Sequence, residues 1–452
     1  MRTTWKSKVL GASVASLLLV PLLATAETVE DQLNQMQDRM AHLEDQLRAT
    51  NDQLTDANSR VDEQAGVIER AGLADENSGL SALSSFLSDT DFYGWVNTSY
   101  TLNTHVRNDG GIQGQNIGGA IVNAMPNQPD NMTFRVNQVW FGMDNAATAD
   151  SRGGFHVDLL FGADADEAHL NGFGCGNKDL SGGATDSLCV LTAYASYLAP
   201  IGPNGVEIQA GKLPTMLGAE VVQSPWNFNI TRGLVWGLQP VTNMGLVTSA
   251  DLGSGFGLAL GVIDSPLGLQ DPDVNRAKSF TGQVSWSNDK YGAALSGNWG
   301  QVGPGGAATA SIMDIVLSAD PTDSLSIWFN MDWVRNDNGV PGVASQDILG
   351  FAVAGRYAIS DSTGVALRGE YVFDLYDGHK RPNTVQQWAV TATGDHHLTD
   401  NLMIRAEFRY DGANVQRNSN SVFCNSGNPG GCIYPTNHDD QFSFIVDMTY
   451  EF

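Results

Sequence analysis

The chain has 452 residues, of which 16% are charged and 50 are glycine. Its 50 acidic residues outnumber the 24 Lys and Arg residues, so the formal net charge is −26. Such a chain repels the phosphates of nucleic acids, which argues against a nucleic-acid-binding role. The length exceeds that of one ordinary compact domain and suits a large barrel with an appendage.

The chain begins with the three parts of a secretory signal peptide, predicted to span residues 1–26. Arg2, Lys6 and Lys8 supply the positive charge, a short apolar run follows, and Ala24-Thr25-Ala26 is an A-x-A cleavage site. A membrane anchor is the alternative, but the apolar run is short and polar residues follow it. No long apolar run occurs later, so a membrane-spanning part would have to be a barrel of strands.

Residues 27–71 are predicted to form a coiled coil. Apolar residues recur every seven positions, at Leu33, Met40, Leu47, Leu54, Val61 and Ile68. The second heptad seam includes Thr50, Ala57 and Gln64, so we expect the seam to be weak. One helix cannot bury such a stripe alone, and a single helix lying on the barrel is the alternative. The Ser-, Gly- and Leu-rich residues 72–90 are predicted to be a linker.

Residues 91–452 are predicted to form an all-β transmembrane antiparallel barrel of about 16 strands. Apolar and polar residues alternate along each segment, for example from Phe256 to Val262 and from Leu325 to Trp333. The segments begin near residues 92, 132, 153, 189, 205, 244, 255, 278, 291, 308, 323, 347, 364, 384, 401 and 440. Short connections such as 288–290 alternate with long ones such as 411–439, which is typical of outer-membrane barrels. A soluble β-sandwich, the alternative, gives no reason for this alternation.

The last predicted strand, QFSFIVDMTYEF at residues 441–452, has an apolar residue at every even position. This period of two indicates a strand with two unlike faces, which we expect to pair with the first strand and close the barrel. Its terminal aromatic residue, Phe452, resembles the assembly signal of bacterial outer-membrane proteins. An even number of strands places both ends, and therefore the coil, on the periplasmic side.

The four cysteines fall into two close pairs, Cys175 with Cys189 and Cys424 with Cys432. Both pairs lie in Gly- and Asn-rich stretches, so we predict disulfides that staple loops in an oxidising compartment. No C-x-x-C motif is present and the pairs are far apart, so neither a metal site nor a cofactor is predicted.

The segment GVEIQAGKLPTMLGAEVVQSPWNFNITRGLVWGLQPVTNMGLV, at residues 205–247, resembles the OmpL-like β-barrel porin family of the outer-membrane porin-2 type. The matching residues are Gly211-Lys212, Gly218, Glu220, Asn227, Asn229, Arg232, Gln239-Pro240 and Gly245. The resemblance covers roughly residues 90–300 and includes the segments 155–166 and 191–205. It implies a porin-type barrel and no particular substrate. The coil-plus-barrel layout also resembles trimeric DcaP-like outer-membrane transporters.

In sixteen-stranded porins, the loop after the fifth strand folds into the lumen, and by count this loop spans residues 214–243. Its candidate constriction residues are two charged and three aromatic side chains: Glu220, Arg232, Trp226, Phe228 and Trp236. Aromatic side chains are costly in water, so we expect them to pack against the barrel wall. A surface loop over the pore mouth is the alternative.

Charged residues that alternate with lipid-facing positions are predicted to point into the lumen, because a charge on the lipid face costs about 2–4 kcal/mol. These residues are Asp332, Arg356, Arg368, Glu370, Arg405, Glu407 and Arg409. Rings of such charges set ion selectivity, but arginines and acids together leave the preferred ion open. Simple pairing of the arginines with Glu370 and Glu407 is the alternative.

Two further sets of residues carry weaker signals. The run Asp164-Ala165-Asp166-Glu167 could bind a divalent cation, although a solvated loop is the favoured interpretation. The histidines His156, His396, His397 and His438 are expected to be solvated in turns and loops. No G-x-S-x-G motif accompanies them, so the chain is not predicted to be an enzyme.

Together these features predict a Gram-negative outer-membrane porin for passive diffusion of small hydrophilic solutes or ions. We expect a homotrimer held by the periplasmic coil, embedded in outer-membrane lipid and lipopolysaccharide, with peptidoglycan as a partner of the coil. The alternative is a structural tether between the outer membrane and the cell wall, with a plugged barrel. Small lumen-facing residues, Gly257, Ala259 and Gly261, leave space and favour the pore.

Overall fold

The structure, a computed structural model, describes residues 86–103, 133–165, 188–268, 276–302, 308–337, 346–375, 386–414 and 440–452. The predicted signal peptide, the coiled coil and residues 72–85 of the linker lie outside the described residues. One compact unit spans Phe86–Phe452 and so includes the last residues of the predicted linker. No helix within the described ranges is both long and apolar enough to cross a membrane.

Sixteen β-strands form a single closed sheet. They are β1 Asp91–Asn103, β2 Thr133–Asn145, β3 Gly153–Phe161, β4 Leu188–Ala199, β5 Val206–Pro214, β6 Thr242–Gly253, β7 Phe256–Ile263, β8 Ser279–Ser287, β9 Tyr291–Val302, β10 Ala308–Thr322, β11 Leu325–Asp337, β12 Gln346–Ser360, β13 Thr363–Asp374, β14 Gln386–Thr399, β15 Leu402–Asn414 and β16 Asp440–Glu451. Each strand pairs antiparallel with its neighbours along the chain, and β1 pairs with β16. The predicted barrel and strand number are therefore confirmed, and every strand begins within two residues of its predicted start.

The two faces of the barrel differ in polarity as the alternation predicts. On β13, Val365 and Leu367 are 43% and 64% exposed on the outer face, whereas Arg368 and Glu370 are buried on the inner face. A closed sheet also pairs the backbone N–H and C=O groups of all its strands, which a lipid environment requires. The outer face of β13 is therefore apolar, and the charged side chains of this strand lie inside.

The last strand closes the barrel against the first, with Trp95 opposite Glu451 and Asn97 opposite Thr449. Phe452 extends this pairing, because its N–H donates to Gly94 O at 2.9 Å and its carbonyl accepts from Gly94 N at 3.1 Å. The Phe452 ring lies over Gly94, where an added Cβ would come within 2.7 Å of it. The terminal aromatic residue is thus a packed part of the seam.

The strand connections differ between the two ends of the barrel. At the end where β1 begins and β16 ends they are short, and four of them, 254–255, 323–324, 361–362 and 400–401, are tight turns. At the opposite end they are long, as in 162–187 and 215–241, with 303–307 as the exception. The predicted alternation therefore holds.

Cys189 is buried in β4 and is disulfide-bonded. Its predicted partner, Cys175, and the pair Cys424 and Cys432 lie outside the described residues. The pairing within each couple therefore stays a prediction.

Candidate functional site: a loop folded into the barrel

The connection between β5 and β6, residues 215–241, turns inward at the long-loop end of the barrel. Its two ends are joined by a hydrogen bond from Thr215 N to Val241 O at 3.1 Å. Near its start, Met216 O accepts hydrogen bonds from Gln283 on β8 and Ser296 on β9. We call this connection the lumen loop, because its partners are the inward-facing side chains of the strands.

The lumen loop crosses to the opposite wall, where Glu407 of β15 accepts several of its donors. Ile230 N donates to Glu407 at 2.6 Å, Thr231 N at 3.2 Å and Thr231 Oγ1 at 2.6 Å. Thr393 of β14 also donates to this carboxylate at 2.8 Å. Buried backbone N–H groups need such acceptors, so Glu407 holds the irregular main chain in place inside the barrel.

Arg368 of β13 joins the lumen loop to a buried charge cluster. Its guanidinium contacts Glu220 Oε1 at 2.5 Å, Thr231 O at 2.6 Å and Glu370 Oε2 at 3.0 Å. Gly233 N donates to the second oxygen of Glu220 at 2.7 Å. One arginine thus bridges a carboxylate of the loop and a carboxylate of the wall.

Two more arginines of β15 clamp the loop backbone. Arg405 donates to Ser224 O at 3.1 Å and to Asn227 O at 3.3 Å, while Asp447 of β16 fixes its guanidinium. Arg409 donates to Arg232 O at 2.6 Å. Arginine has five donors in a fixed fork, so one side chain can bind a carboxylate and several carbonyls together.

The two predicted constriction charges of the loop are buried. Arg232 is 2% exposed and donates to the carbonyls of Val221, Val222 and Ile230 within its own loop. Burial lowers the pKa of Arg232 to about 10, which keeps it charged at neutral pH. Burial also raises the pKa of the Glu220 carboxyl, although Arg368 opposes that shift. Both residues therefore hold the main chain of the loop in place.

The three predicted constriction aromatics behave differently from one another. Trp236 is buried in the same apolar cluster as Trp95 and Trp140 of the wall, as expected for an aromatic side chain of this loop. Phe228 is half-buried. Trp226 departs from the expected burial, because it is 55% exposed even though one side of its ring packs on the wall.

All seven predicted lumen charges lie on the inner face, and every arginine among them meets an acid. The pairs are Arg356 with Asp395, Arg368 with Glu220 and Glu370, Arg405 with Asp447, and Arg409 with Asp411. Asp332 accepts from Gln239 of the loop at 2.6 Å. The predicted alternative was that the arginines pair with Glu370 and Glu407. Arg368 does pair with Glu370, whereas Glu407 accepts hydrogen bonds from the loop backbone. The partner acids Asp395, Asp411 and Asp447 were missed, although each occupies an inward position of its strand.

The predictions for His156 and Asp164 were wrong, because both residues are buried inside the barrel. His156 Nδ1 lies 2.9 Å from Asp144 Oδ1, and its Nε2 lies 2.9 Å from Asp158 Oδ2. Asp164 accepts from Gln138 of β2 at 2.7 Å. His156 sits at an inward position of β3, so strand alternation could have identified it. His396, by contrast, is exposed and contacts Thr363.

Carboxylates dominate the buried charges. Within the described ranges, eleven Asp and Glu side chains are buried against five Lys and Arg side chains. No group of three or more His, Cys, Asp or Glu side chains that could hold a metal ion occurs within these ranges. The interior therefore has an acidic bias without an identified metal centre.

OmpT, an outer membrane protein of Vibrio cholerae, shares this fold in two solved structures. OmpT of Vibrio cholerae in its trimer form is 14% identical with a TM-score of 0.52, covering 80% of this chain and 99% of OmpT. OmpT expressed in the outer membrane is 13% identical with a TM-score of 0.51, covering 80% and 97%. The outer membrane channel DcaP of Acinetobacter baumannii is 13% identical with a TM-score of 0.49, covering 80% and 97%.

No curated protein is similar enough in sequence to match the chain. A protein-family model, described as "Putative beta-barrel porin-2, OmpL-like", matches residues 89–452. The match extends the sequence resemblance, recognised over roughly residues 90–300, through the later strands to the end of the barrel. The chain therefore belongs to the OmpL-like β-barrel porin-2 family.

Proposed function

We propose that the protein is an outer-membrane porin through which small hydrophilic solutes or ions diffuse passively. The observation that carries this proposal is the exposed side of the lumen loop. Val221 is 37% exposed and Trp226 is 55% exposed, although the loop is bonded to walls on opposite sides of the barrel. This exposure supports a loop that narrows the interior and leaves part of it to water, as a porin requires.

The acidic bias of the interior supports a preference for cations. Buried carboxylates outnumber buried Lys and Arg side chains by eleven to five among the described residues. The whole chain has a formal net charge of −26. A narrow passage with low-dielectric walls concentrates the field of such charges on a passing ion.

The assembly and location follow from the porin proposal. We propose a homotrimer in the outer membrane of a Gram-negative bacterium, in contact with lipid and lipopolysaccharide. The predicted coil would lie in the periplasm, join the three subunits and reach peptidoglycan. The trimer form of Vibrio cholerae OmpT, which has the same fold, supports this oligomeric state.

Swelling of proteoliposomes in isosmotic solute tests the porin proposal. Vesicles that contain the purified protein are expected to swell in small sugars and to swell more slowly as the sugar grows larger. Vesicles that swell no faster than protein-free ones would overturn it. That result would instead favour the plugged barrel of a structural tether.

A further inference from the structure

An aromatic corner lies where the lumen loop meets β1 and β2. It consists of Tyr93, Trp95, Trp140 and Trp226. The rings of Trp95 and Trp140 stack with centroids 4.6 Å apart, and both side chains are buried. Trp226 packs against this pair, with its centroid 5.6 Å from Trp95 and 6.2 Å from Tyr93. One side of the Trp226 ring therefore contacts the wall and the rest faces the interior.

The wall beneath Trp226 is fixed by hydrogen bonds. Tyr93 Oη donates to Asp158 at 2.6 Å, and Trp140 Nε1 donates to the same carboxylate at 2.9 Å. Trp95 Nε1 donates to Gln138 at 2.9 Å. Buried Tyr and Trp side chains need such partners, so these contacts hold the rings of the wall at fixed angles.

The backbone that carries Trp226 is fixed on both sides of the residue. Arg405 donates to Ser224 O and Asn227 O, and Ser224 N donates to Gln138 at 3.1 Å. A movement of the loop that buried Trp226 would therefore break these hydrogen bonds. An exposed tryptophan on a rigid support inside a barrel is an accessible flat surface.

We propose that Trp226 is a stacking platform for uncharged ring-shaped solutes, namely sugar pyranoses, as they cross the interior. This inference rests on the proposed porin function. A pyranose presents an apolar C–H face to the indole ring and keeps its hydroxyl groups in water. The charged groups of this region are engaged with one another, His156 with Asp144 and Asp158 and Arg405 with Asp447. A neutral ring therefore suits the corner better than a charged one.

Maltose that binds at Trp226 should block the ion current through a single channel. The size of this block measures sugar binding separately from the conductance of the open channel. The ion current is first recorded in KCl alone, and the maltose concentration that halves it is then determined. Trp226→Leu keeps an apolar contact with the wall and removes the aromatic face. We expect this variant to need about tenfold more maltose, which corresponds to about 1.4 kcal/mol. Trp226→Tyr, which restores an aromatic ring, is expected to recover most of the block.

Trp299→Leu is the matched control, because Trp299 is also 55% exposed but lies on the outer face of β9. It is expected to bind maltose as the wild-type protein does. Sorbitol, an open-chain polyol, is expected not to block. A conducting channel with equal maltose block in wild type and Trp226→Leu, or equal block by sorbitol, would overturn the platform. A wild-type protein without current would overturn the porin proposal, and the platform with it.

Discussion

At the scale of single residues, Gly233 marks a close approach of the lumen loop to the wall. A Cβ at this position would lie 2.0 Å from Glu370 Oε1 and 2.7 Å from Glu220 Oε2. The missing side chain leaves room for both carboxylates beside Arg368. Such a dry charge cluster is stable only while every member keeps its partner.

Gly233→Ala is therefore expected to destabilise the protein, because the new methyl group displaces one carboxylate from Arg368. Overpacking of this kind costs about 1–3 kcal/mol. Gly237→Ala, in the same loop, is the control, since an added Cβ there meets no atom within 4 Å. Urea unfolding of both variants in detergent micelles measures the difference. Equal midpoints would show that the loop is not packed as described.

The substitution Glu220→Gln tests whether the buried charge cluster around Arg368 influences passing ions. The change removes one negative charge next to Arg368, so permeability is expected to shift toward anions. Charges in a narrow, partly desolvated passage are screened less than charges at the open surface. Asp289→Asn, in the exposed turn between β8 and β9, is the control. Reversal potentials in a salt gradient measure the shift, and equal, negligible shifts from both variants would contradict the assignment.

The inward charges could be predicted residue by residue, but their partners could not. Strand alternation decides which face a side chain occupies, so Arg368 and Glu407 were placed from their neighbours alone. Which group each charge binds depends on the course of the irregular lumen loop. The alternation of residues along the strands does not predict that course. The prediction for His156 was wrong for a simpler reason, because His156 lies at an inward position of β3.

At the scale of elements, strand β16 has an apolar face toward lipid and a polar face toward the interior, as its sequence indicates. Its even positions, such as Phe442 and Met448, are exposed on the lipid face, and its odd positions, such as Asp447, are buried inside. The strand pattern was predictable because lipid demands an apolar residue at every second position. The lumen loop was predictable in position, by count, and unpredictable in its exact contacts.

Phe452→Ala is expected to slow barrel assembly, because the Phe452 ring packs on Gly94 and lies 5.8 Å from Phe141 at the closing seam. Truncating a Phe costs about 3–5 kcal/mol when it is fully buried, and less here because the ring is 53% exposed. The folded fraction is read from heat-modifiable migration on gels during refolding. Phe442→Ala, on the same strand and face, is the control, and equal folding of the two variants would refute a special role for the terminus.

At the scale of the whole molecule, the predicted coil should stabilise the oligomer without forming part of the channel. The predicted second seam has no large apolar residue at Thr50, Ala57 or Gln64, so it would supply only part of the association energy. Deletion of residues 28–71 is expected to lower the temperature at which the oligomer dissociates and to leave unit conductance unchanged. Loss of conductance in correctly inserted, truncated protein would show instead that the coil belongs to the channel.

If the lumen loop, bonded to opposite walls, narrows the barrel and does not plug it, the protein must conduct ions. Single-channel recording in a planar bilayer tests this directly. We expect stepwise conductance from the purified wild-type protein, with a reversal potential that indicates cation preference. Correctly folded protein that inserts and produces no steps above the bare bilayer would contradict it.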